Sequence, residues 1–204
     1  MKTNNKKQEV PRTLTNSQCD ELIGGFSGEG ITPGIHERRK RNKLMIMMLI
    51  DTGLRVNELI QLRVKHLIFD AKVVESLELP NTIAKGGRGR LIPLTERLQL
   101  EIYSYITLFF CSNLPNPDFF IFANFPGANH ISARLVQRVC SIGGLAFLGI
   151  NVNPHMLRHT FGTRLMRIAP IEVVRRLMGH ACLSSTQIYM HPDTDDLKKA
   201  INNL

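Results

Sequence analysis

Pro154-His155-Met156-Leu157-Arg158-His159-Thr160-Phe161, followed by Leu177-Met178-Gly179-His180 and then by Tyr189, is the stretch of this chain richest in chemically capable side chains. His155 and Arg158 are three residues apart, so on a helix they share a face. His180 lies 22 residues beyond Arg158, and Tyr189 nine beyond His180. The periodicity and the breakers around these residues predict a helix from His155 to about Ile168 and a second from Ile171 to Met178. After Pro192 a last helix is expected from Asp193 or Thr194 to Asn202. The C-terminal third therefore reads as helical.

Working back toward the N-terminus, helices are predicted over Ser132 to about Ile142 and Thr95 to about Phe110. Between Leu67 and Ile92 the pattern shortens: Val73-Val74, Leu77 to Leu79, Thr82 to Ala84 and Arg90 to Ile92 read as strands, with Gly86, Gly87 and Gly89 supplying a turn. One small antiparallel sheet is expected, with Lys85 at a hairpin. Arg55 to Leu62 reads as a short helix, and a longer one runs from near His36 to Gly53, basic at first and apolar from Leu44. Thr15 and Gln18 fit a capping box that opens a helix through Leu22 and Ile23. The expected class is mainly α with a small antiparallel β-sheet (α+β). Residues 1–13 are expected to be a basic arm, 14–192 the main domain and 193–204 a C-terminal helical tail.

A hydrophobic fraction of 43% is enough for a real core in 204 residues. The longest apolar run, Leu44 to Ile50, is far short of the roughly 20 residues a membrane helix needs. No secretory segment is recognisable behind Met1, so a cytoplasmic protein with no membrane association is expected. Cys19, Cys111, Cys140 and Cys182 form no CxxC pair, and neither a disulfide framework nor a metal site is predicted. The net charge of +9 is concentrated at Lys2 to Arg12, His36 to Lys43 and Lys85 to Arg90, leaving the rest near neutral. Clustered positive charge suits a polyanion, although a basic tail and solvated helix faces would look similar. Arg38, Arg39, Lys40, Arg41, Lys43, Arg88 and Arg90 are the candidates for contact with a nucleic-acid backbone.

Adding Arg55 and Lys85 to His155, Arg158, His180 and Tyr189 makes a set suited to phosphoryl transfer without a metal or other cofactor. Guanidinium groups answer charge on two non-bridging phosphate oxygens with paired hydrogen bonds. A tyrosine hydroxyl, with an unperturbed pKa near 10, must lose its proton to attack, and the departing sugar oxygen must gain one. His155 is a candidate base and Lys85 a candidate acid. Singly, each residue has a plainer role: Arg55 as a partner of Glu58 or Asp51, Lys85 as an exposed turn lysine, His180 as a helix C-terminal histidine, Tyr189 as a core tyrosine. His159 is expected to pack or to support its neighbours.

Four segments together resemble the signature boxes of the tyrosine recombinase family, the phage integrase and Xer-like enzymes. They are Thr52-Gly-Leu-Arg55-Val-Asn-Glu58-Leu, Lys85-Gly-Gly-Arg-Gly-Arg-Leu-Ile-Pro-Leu94, His155-Met-Leu-Arg158-His-Thr-Phe161 and Leu177-Met-Gly-His180 with Tyr189. They stand in family order, and the similarity runs from about Leu14 to the end of the chain. The resemblance implies the family's catalytic-domain fold, with Arg55, Lys85, His155, Arg158, His180 and the nucleophile Tyr189 as catalytic residues. Glu58 takes the place of a supporting carboxylate.

The resemblance further implies site-specific cleavage and rejoining of double-stranded DNA through a 3′-phosphotyrosyl intermediate. It also implies a tetramer on DNA, each tail docking on a neighbour through Leu197, Ala200, Ile201 and Leu204. An accessory or full-length recombinase is a further expected partner, and a bacterial, phage or mobile-element origin is expected. No separate N-terminal core-binding domain is expected ahead of residue 14, and DNA binding by the chain alone should be weak and salt-dependent. Two alternatives stand beside this reading, a non-catalytic DNA-binding accessory protein of the same fold and a type IB topoisomerase-like relaxase.

Overall fold

Seven consecutive residues, Leu44 to Ile50, are buried, so this part of helix α2 (Pro33–Thr52) is apolar all round and lies in the middle of the core. The helices Asn16–Gly25, Val56–Ile60, Glu96–Phe110, Ala133–Leu148 and Pro154–Met166 all pack against α2. The computed structural model describes residues 12–28, 32–111 and 115–179. Helix α1 (Asn16–Gly25) packs on α2, and its start carries the expected capping box, Thr15 and Gln18 each accepting the other's backbone N–H. Pro33 stands in the first turn of α2, where its missing N–H costs no hydrogen bond, so α2 begins slightly before the expected His36.

Gly53 ends α2 in the left-handed conformation, with φ +60°, and donates its N–H to Leu49 O. A Cβ at this position would fall 2.2 Å from a ring carbon of Phe161, so conformation and packing both require glycine. The chain then turns into helix α3 (Val56–Ile60), shorter than the predicted Arg55 to Leu62 because Arg55 is its N-cap residue.

The β region forms two separate two-stranded antiparallel sheets rather than one. Strand β1 (Ile68–Phe69) pairs with β2 (Lys72–Val73), and β3 (Ser76–Leu79) pairs with β4 (Arg90–Pro93) in the register Leu79↔Arg90. Thr82 to Ala84, predicted as a strand, is a turn. Pro80 has no N–H for a ladder, and its carbonyl accepts the N–H groups of both Ile83 and Ala84. Asn81 Oδ1 takes Gly89 N–H at 2.7 Å, which closes the base of the β3–β4 loop and leaves Lys85 on a 3-10 turn near its tip.

Helix α4 (Glu96–Phe110) is capped by Thr95 and covers α2. Helix α5 (Ala133–Leu148) continues past the predicted end because Gly143 and Gly144 are close-approach positions. A Cβ would lie 2.6 Å from Phe26 at the first and 2.5 Å from Val152 at the second. Helix α6 (Pro154–Met166) opens on the Asn153 side chain, which accepts Met156 N–H at 2.9 Å, and packs on α2. Helix α7 (Ile171–Met178) has the predicted bounds, packs on α6 and β4, and ends at Gly179 with φ +61°. The fold is thus mainly helical with small antiparallel sheets. Among the described residues no helix is long and apolar enough to cross a membrane.

Candidate functional site

Glu58 is the carboxylate around which the site is assembled. It is the third residue of α3, so it can reach back to Arg55 N–H at 2.9 Å while its other oxygen takes Arg55 Nη1 at 3.0 Å. Arg90 from β4 donates to it through both terminal nitrogens, at 3.2 and 2.8 Å, and the backbone N–H of Lys85 approaches at 3.4 Å. The carboxylate is 1% exposed. Burial raises its pKa, but the hydrogen bonds and charges of Arg90 and Arg55 outweigh that and hold it down to about 2. One buried anion thereby fixes the start of α3, the Lys85 loop and β4 against one another.

Arg158 does the corresponding work on the other side. From the first turns of α6, and 5% exposed, it donates to the carbonyls of Gly53 and Met178. Arg90 Nε donates to Leu177 O at 2.8 Å. The terminal carbonyls of α7, which have no partner within their own helix, are therefore taken by arginines from β4 and α6. The point where the chain leaves α7 toward His180 is held from two directions.

Arg55, His155 and Arg158 line one cavity of about 510 Å³, together with Gln137, Ser141 and Asn151. The His155 ring is exposed on the first turn of α6, with its Nε2 2.6 Å from Nε2 of the buried His159 and the two rings edge to face at 4.1 Å. Burial, then the charge of Arg158, lowers the pKa of His155. Burial, followed by the charges of His155 and Arg158, lowers that of His159 to about 4. Both shifts favour the neutral imidazole, the form in which His155 can take up a proton. Lys85 lies outside this lining; its side chain is exposed, and its backbone N–H approaches Glu58. His180 and Tyr189, and the tail from Asp193 to Leu204, lie outside the described residues.

The basic candidates divide. Arg38, Arg39 and Arg88 are exposed. Lys43 is engaged by Glu101 at 2.6 Å, and Lys40 lies between Ser104 Oγ at 3.2 Å and Glu101 at 3.9 Å. Arg41 and Arg90, expected at a DNA-facing surface, are interior instead. Arg41 stands three, four and seven residues before Leu44, Met45 and Met48, so helical periodicity turns it inward, where it donates to Ala123 O. Arg90 alternates with Leu91 along β4 and shares the inward face with Ile92. That alternation marks Arg90 as inward-facing but does not name Glu58 as its partner. The polar lining residues Gln137, Ser141 and Asn151 carried no sequence signal. Among the described residues no group of three or more His, Cys, Asp or Glu stands close enough to hold a metal ion.

The sequence profile of the phage integrase family matches residues 13–195. The tyrosine recombinase XerA of Pyrococcus furiosus is 30% identical over 197 residues, covering 96% of this chain and 64% of that protein. A tyrosine recombinase of Pseudothermotoga lettingae is 34% identical over 199 residues, covering 97% and 62%. The chain thus spans a little under two thirds of the length of these relatives. Among solved structures, a XerA recombinase superposes with a TM-score of 0.74 at 24% identity, over 96% of this chain and 65% of that one. A XerH site-specific recombinase bound to its difH substrate superposes with the same score at 21% identity, over 98% and 55%. With Arg55, His155 and Arg158 lining one cavity and a family match over residues 13–195, this chain belongs to the phage integrase family of tyrosine recombinases.

Proposed function

We propose that this chain is the cleaving and rejoining part of a site-specific DNA recombinase, with Tyr189 as nucleophile. The observation that carries the reading is the convergence of Arg55, His155 and Arg158 on one cavity beside a carboxylate that also holds the Lys85 loop. Arg55 and Arg158 bind the non-bridging oxygens and offset the charge that grows on them in the transition state. The Tyr189 oxygen attacks phosphorus while its proton passes to neutral His155. The bond from phosphorus to the 5′-oxygen breaks, and that oxygen receives a proton from Lys85. His180 adds a further hydrogen-bond donor to the phosphate. A 5′-hydroxyl from another strand then reverses the sequence, so the 3′-phosphotyrosyl bond conserves the phosphodiester energy and neither a nucleotide nor a metal cofactor is required.

Double-stranded DNA is the proposed substrate, and assembly to a tetramer on it would proceed through the tail. An apolar cavity of about 400 Å³, lined by Ile50, Ile92, Phe161, Leu165, Ile168 and Leu177 among others, supports that part of the reading. Its chemistry matches Leu197, Ala200, Ile201 and Leu204.

The test is incubation with a nicked suicide duplex carrying the site. A covalent protein–DNA band is expected, and Tyr189→Phe is expected to abolish it. No band on a verified site, from a chain that binds that site, would refute the reading. Relaxation of arbitrary supercoiled plasmid would replace it with a topoisomerase function.

A further inference from the structure

A second concave surface lies where α7 meets β4, apart from the cavity that Arg55, His155 and Arg158 share. It encloses about 470 Å³ and is lined by Arg88, Arg90, Glu172, Arg175, Arg176 and Gly179 among others. The charge of Arg90 is already offset, because its guanidinium is buried on Glu58 at 2.8 Å. Arg88, Arg175 and Arg176 are exposed, and none of them has an ion pair or side-chain hydrogen bond among the described residues. Elsewhere on the surface, Arg97 is held by Asp51 at 2.6 Å and Lys65 by Asp118 at 2.7 Å. Against the single carboxylate of Glu172, the three guanidiniums leave the depression at +2.

The ordinary explanation for arginines in a last helical turn is that they satisfy the helix's terminal carbonyls and its dipole. Here that task is filled by others. Leu177 O and Met178 O are taken by Arg90 and Arg158, while Arg175 O and Arg176 O accept Gly179 N–H. Val174 and Met178 are the buried side of α7, which leaves Arg175 and Arg176 on its open flank, facing the strand that leads back to Arg88. Planar guanidiniums converging from two elements on a concave, net positive surface match the tetrahedral, multi-oxygen form of a phosphate diester.

We propose that Arg88, Arg175 and Arg176 bind a non-reacting phosphate of the DNA backbone, apart from the one that is cleaved. The inference rests on the reading of the chain as a DNA-cleaving enzyme. It adds that duplex binding clamps the end of α7, the helix that precedes His180 and Tyr189 in sequence.

The test measures affinity of the full chain for a labelled duplex across a series of salt concentrations, comparing wild type, Arg88→Gln and the double variant Arg175→Gln/Arg176→Gln. Arg167→Gln, an exposed arginine at the end of α6 and outside the depression, serves as control. The slope of log affinity against log salt is expected to become shallower by about 1 for each phosphate that is no longer neutralised, equally on unrelated duplex sequences. Thermal unfolding is expected to stay at the wild-type temperature, and the control to keep the wild-type slope. An unchanged slope in both test variants, on a chain that binds and cleaves, overturns this inference alone. It is overturned equally if the double variant binds DNA normally but no longer self-associates, since the depression would then receive a second copy of the chain. A wild type that binds no duplex even at low salt overturns the functional reading as well.

Discussion

Glu58 is reached by side chains or backbone from three parts of the chain, and removing its charge leaves Arg90 buried without a counter-charge. Breaking one partner of a buried pair costs about 3–5 kcal/mol. Glu58→Gln is therefore expected to lower unfolding stability at pH 7 by about 3 kcal/mol and to release the Lys85 loop, as read by urea denaturation and by the yield of covalent complex. The pH dependence has a definite sign. The folded carboxyl, with a pKa of about 2, lies below its ordinary 4.5, so its contribution is complete above pH 4.5 and is lost as pH falls from there toward 2. The gap between wild type and Glu58→Gln should accordingly close over that interval. Parallel curves across it would show that Glu58 does not carry the linkage.

At the scale of elements, the approach of α2 to α6 decides whether Arg158 can reach both of its carbonyls. Phe161, one turn beyond Arg158 on α6, packs where a Cβ of residue 53 would stand, and Gly53 itself accepts from Arg158. Gly53→Ala combines left-handed strain with a steric clash, and neither can be relieved without shifting α6. A loss of at least about 2 kcal/mol is expected, together with a fall in covalent-complex yield at temperatures where the variant is still folded. Calorimetry and the suicide-substrate assay measure the two effects. Wild-type behaviour in both would mean that α6 moves without consequence for the site.

For the whole molecule, the proposed tail docking predicts a separation of chemistry from assembly. Deleting residues 193–204 should leave the unfolding temperature of the remaining domain within a few degrees of wild type and should reduce higher-order complexes on DNA, as measured by light scattering. Loss of folding on deletion would instead make the tail part of its own domain's core. Salt dependence belongs to this scale too. The basic stretch His36 to Lys43 looked in sequence like one polyanion surface, but three-dimensional packing divides it into exposed Arg38 and Arg39, carboxylate-engaged Lys40 and Lys43, and interior Arg41.

The sequence by itself determined the features governed by neighbours along the chain. Thr15 and Gln18 marked a helix start, Ile171 to Met178 a whole helix, Leu44 to Ile50 the centre of the core, and the four boxes the family. Each depends on periodicity, capping or local order, and these are written in consecutive residues. Tertiary structure alone decided that the β region splits into two hairpins, that Gly143 and Gly144 continue a helix, and that Arg90 serves Glu58. It also decided that Arg175 and Arg176 share a surface with Arg88. The reason in every case is that a side chain's charge or shape acts on whatever lies within a few ångströms, and the partners here are 32 residues away for Arg90 and Glu58 and 105 for Arg158 and Gly53.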